Sequence, residues 1–208
     1  MIKSKLRSPP GACATILTDA ILCSVIQLLG GLRMTTLQCW NKAKEFHGHE
    51  CPGLAIGVKV CQAVAEKMGG GPAFDEEIVC IVENDACGVD AVQALMGCTL
   101  GKGNLIYRPT GKQVFTFLNR GTGKGFRFYL KRRNNGMERS LYQQYLLGAP
   151  TDELFACKEV SMGMPEPARI FSSIACEKCG EYAAENKIRL DQGKPICLDC
   201  HDRYDRGW

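Results

Sequence analysis

Apolar positions recur along this chain with several different periods, and the changes of period outline its elements. Leu37, Trp40 and Phe46 step at helical spacing with Lys44 among them, and Thr36 is placed to cap the start, which predicts a helix over 36–46. The run His47-Gly48-His49-Glu50-Cys51-Pro52-Gly53 breaks that period. Leu54, Val58, Cys61, Ala65 and Met68 then step by three and four, predicting a helix of about four turns that ends at Gly69-Gly70-Gly71-Pro72. Residues 78–83 form a short β-branched run typical of a buried strand. A turn over 84–88 leads into another amphipathic helix with Val89, Val92, Leu95 and Met96 on one side. Strands are predicted over 104–108, 113–118 and 125–131, with Gly111-Lys112 and residues 121–125 as turns. A helix over 137–147 is closed by Pro150, and Pro165 and Pro167 mark a linker. This mixed order fits an α+β domain with a partly antiparallel sheet better than a doubly wound one.

At 208 residues the chain accommodates one ordinary domain and a small module, and no run of 18 apolar, uncharged residues suggests a membrane-crossing helix. The expected divisions are an N-terminal extension (1–33), a core (34–165) and a tail (166–208). The extension has basic residues, a Pro9-Pro10-Gly11 break and an apolar stretch from Ala12 to Leu32, which makes a secretory signal the alternative reading, but Asp19 and Gln27 interrupt that stretch and no clean cleavage site follows. It reads as dispensable, with Met34-Thr35-Thr36 a natural beginning. The formal net charge of +4 is spread as +3 over 1–33, +2 over 34–165 and −1 from 166 onward. A nucleic-acid module concentrates positive charge on itself, so nucleic acid is not the expected partner.

Cysteine changes the picture most: there are 13 against only three histidines. In Cys176-x-x-Cys179 and Cys197-x-x-Cys200, 17 residues apart, each pair can aim two sulfurs at one point, and four thiolates make a tetrahedral Zn²⁺ site. The intervening Tyr182, Ile188 and Leu190 are too few to build a core alone, so metal ligation would supply the missing folding free energy. His201 is an adjacent competitor, but four cysteines saturate the site, which is therefore expected to be structural. Two disulfides or a redox pair are the alternative. Metal spacing points to a reducing compartment, and the expected location is the cytoplasm.

A second constellation lies in the core. His47, His49 and Cys51 alternate just before a helix, and in an extended segment alternate side chains share one side. The helix start favours the Cys51 thiolate, and Asp85 and Cys87 stand in the same relation to the next helix. Together these residues make a plausible mixed site for a second metal, taken as Zn²⁺, with an open position if three of them ligate. Glu50 is a candidate base and Cys51 a candidate catalytic group. A Cys51–Cys87 redox disulfide is the alternative, and Cys61, Cys80 and Cys98 read as small buried hydrophobes. Residues 97–104 resemble a phosphate loop superficially, but three residues rather than four separate Gly97 from Gly101-Lys102, and Gly103 replaces the required Ser/Thr. Nucleotide hydrolysis is excluded on that ground. The loop either packs tightly or lets backbone and Lys102 approach the core site or an anion, and 131–133 reads as a solvated strand end.

Three blocks in register, 46–57, 83–93 and 97–105, resemble the FmdE family, named for a component of formylmethanofuran dehydrogenase, and the four-cysteine tail is similar to the treble-clef zinc finger some members append. The resemblance implies a thioredoxin-like α+β core with a mixed five-stranded sheet flanked by helices. It also implies an active site able to hold zinc, matched here by His47, His49, Cys51, Asp85 and Cys87, and a homodimer formed through the core. No Cys-x-x-Cys lies in the core, so the fold label does not bring redox chemistry with it. No pterin or iron–sulfur motif is recognisable, so the chain is not expected to perform the named oxidoreductase step alone. The leading expectation is a metal-binding protein accessory to molybdenum- or tungsten-enzyme metabolism, with molybdenum or tungsten enzyme subunits as partners. A zinc-dependent hydrolase or transferase acting at the core site is the alternative, and a regulatory or interaction module working through the finger comes third.

Overall fold

The computed structural model describes residues 34–69, 71–131, 134 and 136–202, so the reading of 1–33 lies outside the described residues, as does most of the 131–133 strand end. The chain divides after Pro167 into two compact units. In the first, α1 (Thr36–His47), α2 (Pro52–Met68), β1 (Ile78–Val82), α3 (Gly88–Met96), β2 (Leu105–Tyr107), β3 (Val114–Asn119), β4 (Gly125–Leu130), α4 (Arg139–Gly148), the single turn α5 (Thr151–Leu154) and β5 (Phe155–Glu159) follow in order. The strands form one sheet in the order β2-β1-β3-β4-β5. β1 and β2 are parallel, joined by the α3 crossover, and the other pairings are antiparallel. The fold is thus α+β with a mixed five-stranded sheet.

Central position explains β1: all five of its residues are buried, so the strand is apolar on both faces. Cys80 and Val82 join Phe115, Phe117 and Phe128 in the main core, to which every helix contributes. Val79 and Ile81 face the other way and pack with Leu118, Ile106, Val160 and Met164. The buried helical side chains therefore gather on one face of the sheet, and the segment after β5 returns across the other. Edge-to-face contacts from Phe117 to Phe128 and from Phe128 to Phe155, at centroid distances of 6.2 and 6.5 Å, tie β3, β4 and β5 together.

The first helix is capped by Thr35 rather than Thr36: its hydroxyl accepts from the Gln38 N–H while the Gln38 side chain accepts from the Thr35 N–H. Its buried stripe is Cys39, Trp40 and Ala43, whereas Leu37 and Phe46 are exposed. β5 is not legible as a strand in the sequence, because among its residues Phe155 alone is buried. Pro150 ends α4 and also caps α5.

The 97–104 loop is a lock in the fold. Asn104, fully buried, donates to the carbonyls of Asp75, Ile78 and Gly97 and accepts from the Thr99 N–H. The Lys102 ammonium donates to the carbonyls of Ala73 and Phe74 at 3.2 Å each. The loop lies at the C-terminal end of α3, opposite the helix start where Cys87 sits, so tight packing is the reading that applies.

The second unit consists of two hairpins, β6 (Ser173–Ala175) with β7 (Tyr182–Ala184) and β8 (Ile188–Asp191) with β9 (Lys194–Cys197). Among the described residues its buried cluster is Cys176, Ile196 and Cys197, with Ala183, Ile188 and Cys200 partly buried against it. Tyr182 and Leu190, counted in the sequence as its apolar content, are exposed.

Candidate metal centres

Three helix ends converge on the core site. His47 is the last residue of α1, and Gly48 then adopts φ of 86°, a left-handed turn that a side chain resists. Hence His47, His49 and Cys51 do not converge by strand-like alternation; a helix end, a left-handed glycine and the next helix start bring them together. Cys51 is the N-cap of α2, where its sulfur accepts from the Leu54 N–H at 3.3 Å, and Pro52 fits the first helical position. Cys87 is the N-cap of α3. Both sulfurs thus sit where helix dipoles present partial positive charge.

Two glycines set the distance between those sulfurs. A Cβ on Gly57 would lie 2.2 Å from the Gly88 carbonyl oxygen and 2.6 Å from its Cα, so α2 and α3 touch backbone to backbone. A Cβ on Gly53 would stand 3.2 Å from Cys87 Cβ and 3.9 Å from Cys51 Sγ. Glycine at both positions lets the two helix starts close on one another.

The ligand atoms of His47, His49, Cys51 and Cys87 all lie within 4.8 Å of one another, and His47 Nε2 is 3.8 Å from Cys51 Sγ. Zinc bonds of about 2.3 Å to sulfur and about 2.1 Å to nitrogen place tetrahedral ligand atoms roughly 3.4–3.8 Å apart, so the set is close to a fitted size. The other nitrogen of His47, Nδ1, is 2.6 Å from the Asp90 carboxylate, which also accepts from Gln93. This imidazole–carboxylate pair fixes the ring and directs Nε2 at the sulfurs, as supporting carboxylates do around metal-ligating histidines. The His49 ring lies against that of His47, centroids 4.3 Å apart, and is exposed. Burial, and then the neighbouring Cys51 sulfur, push the Cys87 thiol above its ordinary value; two crowded sulfurs resist joint ionisation unless a cation compensates.

Asp85 is not drawn into the cluster: it is exposed and stands beside the Tyr107 hydroxyl. Asp90, which sequence reasoning missed, is the carboxylate the site uses. The available signal was its place in the first turn of α3, three residues after Cys87. Glu50 also lies outside the cluster, with Lys44 at 3.0 Å and Gln143 at 3.4 Å engaging its two oxygens. The Lys44 ammonium holds its carboxyl below the ordinary carboxylate range, which suits a surface ion pair more than a base.

In the tail, each Cys-x-x-Cys folds into the same knuckle. The Gly180 N–H returns to the Cys176 carbonyl at 2.8 Å, and the His201 N–H to that of Cys197 at 2.9 Å. Cys176, Cys179, Cys197 and Cys200 converge within the same 4.8 Å limit, and His201 is not in the cluster. The N–H groups of Cys197 and then Cys179 bring the Cys176 thiol down to about 6, whereas the sulfurs of Cys179 and Cys197 push Cys200 up to about 12. Four sulfurs in this arrangement need a cation to ionise together, and Zn²⁺ matches the all-sulfur donor set.

Comparison with known proteins bears on the fold and on the tail cluster. A family profile described as FmdE, molybdenum formylmethanofuran dehydrogenase operon, matches residues 46–161, and one for the prokaryotic dksA/traR C4-type zinc finger matches 169–206. A protein of Archaeoglobus fulgidus described as a probable S-adenosyl-L-methionine-binding protein is 32% identical over 196 residues, covering 78% of this chain and 52% of its own length. The chain thus spans about half the length of that curated relative. The crystal structure of an FmdE-like protein of tungsten formylmethanofuran dehydrogenase type, from Syntrophus aciditrophicus, superposes with a TM-score of 0.62 at 23% identity, covering 81% of this chain and 93% of the other. The backbone of the core is therefore an FmdE-like fold, its tail is a C4-type zinc finger, and with the profile spanning more than half of its length this chain belongs to the FmdE family.

Proposed function

We propose that the core binds a transition metal, zinc by its donor set, through His47, His49, Cys51 and Cys87, and that the protein is an accessory factor in molybdenum- or tungsten-enzyme metabolism. The observation that carries this reading is the convergence of two thiols and two imidazoles from three helix ends, with Asp90 bracing His47. When bound, such an ion supplies a soft, redox-silent electrophilic centre. His47, Cys51 and Cys87 are buried or half-buried, whereas His49 is exposed and follows a glycine hinge. The first three are the fixed ligands, and His49 is the one that yields its place to an incoming donor, which gives the open position. The metal-binding reading is favoured over the hydrolase or transferase alternative because its candidate base, Glu50, stands outside the cluster beside Lys44 and Gln143. Assembly through the core as a homodimer, a cytoplasmic location and contact with molybdenum or tungsten enzyme subunits belong to the same proposal.

Metal analysis of the purified protein tests it. Two zinc ions per chain are expected, falling to one in Cys51→Ser while the tail keeps its own. Unchanged stoichiometry in that variant defeats the core site.

A further inference from the structure

Among the charged side chains of the core, Lys59 is the anomaly. It sits in the most buried stretch of α2 and is only 6% exposed. Lysine is almost never buried without a partner, because a lone ammonium loses its hydration and gains nothing in return. Yet Lys59 makes no hydrogen bond or ion pair among the described residues. Its nitrogen is not sealed off, and the residue lines a cavity of about 630 Å³ whose walls include Cys39, Cys61, Leu95, Met96 and Leu147.

The polar neighbours in that cavity are committed elsewhere. Gln62 donates to the Thr36 hydroxyl at 2.8 Å, and Thr151 donates to the Glu66 carboxylate at 2.5 Å. Glu66 lies two helical turns from Lys59 along α2, about 10 Å, and leaves its ammonium unpaired. Burial lowers the Lys59 amine below the ordinary lysine value, with the Glu66 charge acting in the other direction. The cavity thus has in its lining one cation that holds no hydrogen bond or ion pair, beside the Glu66 carboxylate that Thr151 engages, and its remaining walls are mostly apolar and enclose a ligand-sized volume. A phosphate would need several donors, and one ammonium among apolar walls does not supply them. A carboxylate needs only one strong counter-charge, and an aliphatic chain fits the rest.

We propose that this cavity is a binding site for a small aliphatic carboxylate, with Lys59 as the counter-ion and the side chains of Leu95, Met96 and Leu147 against the hydrocarbon. The site lies eight residues along α2 from Cys51, about 12 Å, and is independent of the core metal cluster.

Octanoate is the probe, with octanamide as its uncharged match. Calorimetric titration of the full-length protein is expected to show saturable octanoate binding, at least tenfold weaker binding of octanamide, and at least tenfold weakening of octanoate in Lys59→Met. Equal affinity for the two probes, or an unchanged affinity in the variant, overturns the proposal. A second measurement needs no variant: reductive methylation followed by peptide mass spectrometry should show Lys59 protected by octanoate and not by octanamide. Labelling of Lys59 that octanoate does not slow, or no octanoate binding at all, also overturns it.

Discussion

Replacing Gly57 by alanine puts a methyl group where α2 meets α3. The new Cβ would stand 2.2 Å from the Gly88 carbonyl oxygen and 2.7 Å from Ala91 Cβ. Carbon and carbonyl oxygen approach no closer than about 3.3 Å in ordinary contacts, so the helices must separate by about 1 Å. Both obstructing groups at Gly88 are backbone and no side chain can swing away, which places the cost near the top of the usual overpacking range of about 1–3 kcal/mol. Alanine recovers about 1 kcal/mol of helix propensity, so a net loss of about 2 kcal/mol is expected, or roughly 5–10 °C in the melting temperature of the core. The same separation moves Cys87 away from Cys51 by far more than the roughly 0.2 Å a metal site tolerates. Chemical denaturation and metal analysis of Gly57→Ala should therefore show a destabilised core that has lost its metal, with the tail zinc retained. Gly148→Ala, where a Cβ meets nothing within 4 Å and φ is not positive, is the control and should stay within about 0.5 kcal/mol of wild type. A Gly57→Ala protein as stable as wild type, still holding two metals, would refute the argument that close helix approach builds the site.

Asp90→Asn removes the charge that braces His47; core metal affinity should fall about 10- to 100-fold in competition with a chromophoric chelator, while the tail is unaffected. Asn104→Ala strips partners from three carbonyls and one N–H in the 97–104 loop, and urea unfolding should register a loss of about 3 kcal/mol or more. Burial raises the thiols of Cys61, Cys80 and Cys98, the last to about 12. The folded state therefore keeps protons that the unfolded chain releases above about pH 9, and stability is fully present below that value and lost as pH rises. The slope reaches about 1.4 kcal/mol per pH unit for each thiol, and urea midpoints under reducing conditions from pH 8 to 10.5 should fall less steeply in Cys98→Ala than in wild type.

The periodic pattern is legible wherever an element buries one continuous stripe. α2 and α3 are read within a few residues of their ends because their apolar positions face a single core, and β1 because burial on both faces leaves it a continuous apolar run. Local propensity misleads in α1, where Leu37 and Phe46 keep helical spacing yet face outward while Cys39 and Ala43 are buried. The fifth strand lies at a sheet edge and buries Phe155 alone, so its sequence has no alternation to read. At the core site the histidines and cysteines announce themselves by chemistry, but the supporting carboxylate does not. Asp85 and Asp90 are almost equally near Cys87 in the chain, and only the helical path of α3 decides that Asp90 reaches His47. The close approach of Gly57 to Gly88 and the unpaired burial of Lys59 depend on contacts distant in sequence, and no local pattern reports those.

X-ray absorption at the zinc edge of the full-length protein tests the core centre most directly. With Cys51, Cys87, His47 and His49 at one ion and four tail cysteines at the other, the averaged shell should contain three sulfurs and one imidazole nitrogen per zinc. One zinc per chain with four sulfurs and no imidazole scattering would contradict the account, leaving the finger as the only metal centre.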